Sequence, residues 1–191
     1  MISPLESLRS GDALLIIDVQ NDFCPGGTLP VADGDAVIPV LNLWIAAARE
    51  EGVPVYASRD WHPDGHLSFT ESGGDWPAHC IQDTEGAAFH PLLDLPKDAI
   101  KITKGVRFDK DQFSAFDETG LANRLRDNGI TRLWIGGLAQ NACVEATVLD
   151  GCAAGFEIHV IEDATRPISP DGGETAKRRM QNADALFDKT D

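Results

Sequence analysis

The sequence predicts an α/β fold, a doubly wound and mainly parallel sheet of five to six strands with helices on both faces. Three features point there: short continuous apolar runs of strand length, amphipathic stretches of helical period between them, and chemically active residues that fall where the apolar runs stop. A strand covered on both faces reads as an unbroken apolar run, and strands that alternate with helices are joined by crossovers that make the sheet parallel.

Ala13 to Val19 (ALLIIDV) is the first such run, closed by an acid. After a Gly- and Pro-rich loop, Asp35 to Glu51 places Val37, Val40, Leu41, Trp44, Ile45 and Ala48 at helical spacing, and Gly52 supplies the stop. Val53 to Ser58 is a second strand whose beginning is set by Pro54. Ala99 to Thr103 is a third, Leu133 to Ile135 lies in a fourth and Glu157 to Ile161 in a fifth. Helices are expected over Leu121–Asn128, Cys143–Ala154 and Gly173–Phe187. The segment from Asp60 to Lys97 is far longer than an ordinary connection, and Trp61, Phe69, Trp76 and Phe89 make it too aromatic for a disordered one. No repeat, low-complexity tract or linker interrupts the chain, so residues 1–191 read as a single domain with a loop insertion at about 60–97.

Composition narrows the function. The chain has 31 Asp and Glu against 16 Lys and Arg, a formal net charge of -15, which repels polyphosphate and anionic lipid. Nucleic acid and membrane are therefore not expected as partners. The N-terminal stretch has neither a basic start nor a long apolar core, and no segment approaches the roughly 20 apolar residues of a membrane span, so a cytoplasmic protein is expected. Cys24, Cys80, Cys143 and Cys152 form no CxxC pair and read as reduced thiols.

The chemistry gathers around Leu133–Gly151 (LWIGGLAQNACVEATVLDG), where an apolar strand breaks at Gly136-Gly137 and a helix is expected from Cys143. A thiol at a helix N-terminus meets unpaired N–H groups and partial positive charge, which favour thiolate and offer donors to an oxyanion. In an open parallel sheet ligands bind beyond the carboxyl ends of the strands. Asp18, Asp60, His62, Lys104 and Cys143 all fall there, although each has a plain structural role when considered alone. An acid can take the thiol proton and a lysine between them stabilises the resulting anions, so Cys143, Asp18 and Lys104 form a coherent triad. Asp60, His62, His66 and His79, from RDWHPDGH and WPAHC, are candidate ligands for zinc, iron or manganese. His90 and His159 lie outside this cluster and read as structural.

These blocks resemble those of the nicotinamidases within the isochorismatase-like hydrolases: DVQNDFCPGG from Asp18, RDWHPDGH from Arg59 to His66, WPAHC from Trp76 to Cys80, TKG around Lys104 and GLAQNACV ending at Val144. The resemblance spans roughly Ala13 to Pro167. It implies a Cys143-Asp18-Lys104 triad and one divalent metal ion held by Asp60, His62 and His79, with His66 as a variable additional ligand. It further implies that Phe23 and Trp76 sandwich a pyridine ring, that the backbone N–H groups of Ala139 and Cys143 form the oxyanion hole, and that a cis peptide precedes Ala139. The implied activity is hydrolysis of nicotinamide to nicotinic acid and ammonia through a cysteine thioester, in NAD salvage, by a chain that self-associates. Asn141 and Ala142 depart from the aspartate and the aromatic or histidine usual before the cysteine, which bears on substrate range. Two alternatives stand beside this reading: a sister cysteine amidohydrolase acting on a carbamoyl or ureido amide, and a flavodoxin-like binding module. QNDFCPGG, with its acid and bulky residues, makes a poor phosphate loop for the second.

Overall fold

The computed structural model describes all residues, Met1–Asp191. Six strands, β1 (Asp12–Ile17), β2 (Val55–Asp60), β3 (Ile100–Lys104), β4 (Arg132–Leu138), β5 (Glu157–Arg166) and β6 (Leu186–Asp188), form one sheet in the order β3-β2-β1-β4-β5-β6. Every pairing is parallel. Five helices connect or flank the strands: α1 (Pro4–Ser7), α2 (Val37–Glu51), α3 (Leu121–Asp127), α4 (Glu145–Ala153) and α5 (Pro170–Asn182). The chain starts at the centre, builds outward through β2 and β3, then crosses back to β4. The order therefore reverses between β1 and β4, and a crevice opens beyond their carboxyl ends.

Alternation along β1 divides its side chains between two cores. Leu14 and Ile16 pack with Leu41, Trp44, Ile45 and Ala48 of α2. Ala13, Leu15 and Ile17 pack on the opposite face with Leu121 and Leu125 of α3, Val148 of α4 and Met180 of α5. A helix as short as α3 is marginal in water by itself, so burial of about 1.5–3 kcal/mol per large apolar side chain is what holds it. Asp12 opens β1 inside this apolar setting because Arg132, its register partner on β4, donates to both carboxylate oxygens at 2.8 and 2.6 Å.

The expected elements are present, with corrections at their ends. Gly52 adopts the left-handed conformation that closes α2 and donates its N–H to the Ala48 carbonyl. Pro54 sits just before β2, and β5 continues five residues past the expected Ile161 to Arg166. The C-terminal helix begins at Pro170 rather than Gly173, since Ser169 caps it by accepting from the Gly172 N–H and proline suits the first turn. It stops at Asn182, and Phe187 belongs instead to β6, which pairs with β5. Cys143 precedes its helix: Gln140–Val144 is a wide turn in which Asn141 and Ala142 have non-helical dihedrals, and α4 starts at Glu145. No helix is long and apolar enough to cross a membrane.

Gly137 lets β1 and β4 approach at the reversal point. Its φ is 128°, and a Cβ there would lie 2.0 Å from the Ile17 carbonyl oxygen. Both strain and collision are backbone effects that no rotamer relieves. Gly137→Ala is expected to cost more than about 2 kcal/mol, read as a lower urea midpoint at unchanged slope.

Candidate active site

Four strand ends bring the predicted triad together. Asp18 follows β1, Asp60 ends β2, Lys104 ends β3 opposite Asp60, and Cys143 lies in the turn after β4. The Lys104 ammonium is fully buried, with Nζ 2.7 Å from Asp18 Oδ2, 2.6 Å from Asp60 Oδ1 and 3.3 Å from Cys143 Sγ. Ser58 Oγ donates to the other Asp18 oxygen at 2.6 Å. Asp18 holds φ at 46°, unusual for a residue with a side chain and stabilised here by its N–H donating to the Ser58 carbonyl.

Burial sets the resting protonation. It raises the Asp18 carboxyl above the usual carboxylate range, against the opposing pull of Lys104. It also pushes the Cys143 thiol well up, Lys104 opposing and Asp18 adding to the rise. Burial disfavours the charge on Lys104 as well, but the neighbouring Asp18 and Asp60 carboxylates more than offset it and keep the ammonium form. The raised value favours Cys143 as a thiol, with a carboxyl and a cation beside it.

The ligand-type atoms of Asp60, His62 and His79 lie within 4.8 Å of one another. His62 Nδ1 faces the His79 carbonyl at 3.1 Å and His79 Nδ1 faces the Pro77 carbonyl at 2.8 Å. A carbonyl only accepts, so each ring carries its proton on Nδ1 and offers the Nε2 lone pair, the arrangement that orients metal-binding imidazoles. Two imidazoles and a carboxylate suit zinc, iron or manganese and leave open positions. His66 stands beside this set. Its ring stands 4.5 Å from that of His62, but Nε2 donates to the Arg107 carbonyl and Nδ1 bonds Ser68 Oγ, both at 2.8 Å. Its ligand-type atom nonetheless lies within 4.8 Å of those of His62 and Asp111, a second metal-type group that shares His62 with the first.

Phe23 and Trp76 line one cavity with Ala139, Cys143 and the three metal-type residues. The peptide between Leu138 and Ala139 is cis, and the Ala139 carbonyl accepts from the Ala142 and Val144 N–H groups, which folds the turn around the thiol. Several lining or supporting residues had no sequence signal that marked them. Asp111 Oδ1 sits 3.8 Å from His62 Nε2, and Gln112 fixes the same loop by accepting from the Gly105 N–H at 3.1 Å. Phe113 and Ile168 close the outer wall. Gln20 did carry a signal, since it lies two residues beyond Asp18 on an extended segment. Its amide bonds both the N–H and the carbonyl of Asp60 at 2.8 Å and so ties β1 to β2 at the site.

The family model described as the isochorismatase domain matches residues 12–188. The nicotinamidase of Escherichia coli K12 is 38% identical over 190 residues, covering 88% of this chain and 89% of the relative. The pyrazinamidase of Pyrococcus horikoshii, solved in complex with zinc, superposes with a TM-score of 0.91 at 44% identity, covering 94% of this chain and 99% of that one. The PnC1 protein of L. infantum, solved in complex with nicotinate, gives 0.87 at 33% identity, covering 94% and 93%.

Proposed function

The chain belongs to the isochorismatase-domain family, and on that premise we propose that it hydrolyses nicotinamide to nicotinic acid and ammonia, with Cys143 as nucleophile and one divalent metal ion beside it. The observation that carries this reading is the double membership of Asp60. It stands with His62 and His79 in the metal-type group, and with Asp18 and Cys143 in a second group whose atoms also lie within 4.8 Å. A ring nitrogen anchored at the first group leaves a carboxamide on the same ring facing the second. A carbamoyl or ureido amide has no such nitrogen to anchor.

Asp60, His62 and His79 would hold the ion, with His66 as a variable additional ligand, and the ion when bound would supply a Lewis-acid anchor for the pyridine nitrogen. The remaining work falls to the chain itself. Phe23 and Trp76 hold the ring, so the carbonyl carbon is oriented before reaction. Asp18 accepts the Cys143 proton, the sulfur–carbon bond forms, and Lys104 stabilises the carboxylate and thiolate it touches. Backbone N–H groups of Ala139 and Cys143 take the oxyanion, a contribution of about 3 kcal/mol per donor in comparable sites. The carbon–nitrogen bond breaks and Asp18 returns the proton to departing ammonia. Asp18 then takes a proton from the water that attacks the thioester, and nicotinic acid leaves with the thiol restored.

The reaction feeds pyridine nucleotide salvage and belongs in the cytoplasm, where the four free cysteines stay reduced. Residues 1–191 act as one domain, with the 60–97 insertion carrying His62 and His79, and the chain works as a homo-oligomer that binds neither nucleic acid nor membrane.

The test is ammonia release from nicotinamide and from a ureido amide. A kcat/KM for nicotinamide at least about a hundredfold higher is expected, since a site built to pair a polar group rejects analogues that lack it. Preference for the ureido amide would overturn the assignment. Metal removal gives a separate prediction. The purified protein should contain one divalent ion per chain, lose turnover on chelation and regain it on addition of zinc, iron or manganese. His79→Ala should weaken metal affinity by more than about a hundredfold in a chelator competition.

A further inference from the structure

A second, outer space adjoins the cavity beside Cys143. Trp76, Phe113, Ala142 and Ile168 line both that cavity and an adjoining outer lobe, whose floor is formed by Ala146 and Leu149 of α4. The two spaces therefore share a wall. In that wall Ala142 offers only a methyl group. Phe113 and Ile168 are 37% and 48% exposed, which is unexplained by packing within the chain. The lobe is also preformed: the Ile168 N–H donates to Asn141 Oδ1 at 2.8 Å, pinning the segment before α5 to the turn that carries the nucleophile.

Orientation decides which part of a substrate would reach it. Asp60, His62 and His79 line the inner cavity and not the lobe, so the ring nitrogen lies at the far end. Asn141 and Ala142 immediately precede Cys143, so the lobe opens on the side of the reacting carbonyl. A group carried on the amide nitrogen would enter it. The lobe is mostly apolar, with Glu145 and Asn141 at its polar margin.

We propose that this site also hydrolyses secondary pyridine-3-carboxamides whose amide nitrogen bears an apolar substituent, with Trp76, Phe113, Leu149 and Ile168 holding that substituent. The inference rests on the reading of the inner site given above. Cys143 attacks the carbonyl, the carbon–nitrogen bond breaks, the primary amine departs with the proton from Asp18, and water releases nicotinic acid from the thioester. An amine such as benzylamine is of basicity comparable to ammonia, so the leaving step is chemically unchanged.

The experiment follows benzylamine and nicotinic acid release from N-benzylnicotinamide by chromatography, with nicotinamide in parallel. The wild-type protein should turn over both. Leu149→Trp, which fills the lobe from α4, should lower kcat/KM for the benzyl amide by about tenfold or more and leave nicotinamide within about twofold, an apolar group in a pocket being worth that order of discrimination. Ala146→Leu is the milder second variant, expected to act in the same direction if the tryptophan disturbs folding. Turnover of nicotinamide with no benzylamine released would overturn the proposal, as would equal losses on both substrates in both variants. Failure of wild-type protein on nicotinamide itself would instead strike the reading of the inner site.

Discussion

Cys143→Ala and Asp18→Asn are each expected to lower kcat for nicotinamide by about 10⁴-fold, with thermal melting close to that of the wild type. The nucleophile cannot be replaced by water held in the same cavity, since the thioester route divides one difficult displacement into two. Asp18→Asn preserves the shape of the acceptor but removes its basicity, and a comparable replacement within a hydrolytic triad costs that order of magnitude. Lys104 keeps the Asp60 carboxylate as a partner in this variant, so the buried cation is not stranded. Because the two residues act in one step, the double variant should be scarcely worse than either single one. Near-normal turnover by either variant would remove its residue from the proposed mechanism.

Lys104→Met is the change expected to damage the fold most. Asp18 and Lys104 are both fully buried and Asp60 nearly so, and the ammonium is the cation that faces both carboxylates. Removing one partner of a buried ionic cluster leaves uncompensated charge, at a cost of about 3–5 kcal/mol. The pH dependence has a definite sign. Burial already raises the Asp18 carboxyl, and Lys104 is the group that pulls it back down. Without it the folded-state value rises further above the unfolded one, so the folded variant binds more protons than the unfolded chain and loses stability as pH rises. Urea unfolding should therefore show a larger deficit relative to wild type near neutral pH than near pH ~5, the acid side of that rise. An equal deficit at both would contradict this account of the cluster.

Residues whose position follows from local pattern were legible in the sequence. The apolar runs at Ala13–Val19 and Leu133–Ile135 became β1 and β4, and the candidate residues at or just beyond strand ends met on one side of the sheet because parallel topology puts every carboxyl end there. What depended on distant backbone was not legible. The contact between His66 Nε2 and the Arg107 carbonyl, from beyond β3, is one example. The turn at Gln140–Val144 looked helical from Cys143 onward, because nothing local reveals that the Ala139 carbonyl takes two N–H groups and delays α4. Phe187 continued an amphipathic pattern, but pairing with β5 drew it into a strand. Phe113 and Ile168 lacked any mark, since neither stands beside a chemically active residue in the chain. Asn141, a departure in the resembled motif, acquires a role once its bond to the Ile168 N–H is known.

The most direct measurement of the central claim is to catch the acyl group on Cys143. The protein is mixed with nicotinamide and quenched in acid during turnover, the peptide containing Cys143 is analysed by mass spectrometry, and a parallel reaction contains hydroxylamine as a competing nucleophile. A nicotinoyl group on Cys143, and diversion of product to nicotinohydroxamic acid at undiminished ammonia release, are the predicted results. Full turnover with no adduct on Cys143 and no hydroxamic acid formed would contradict the thioester route.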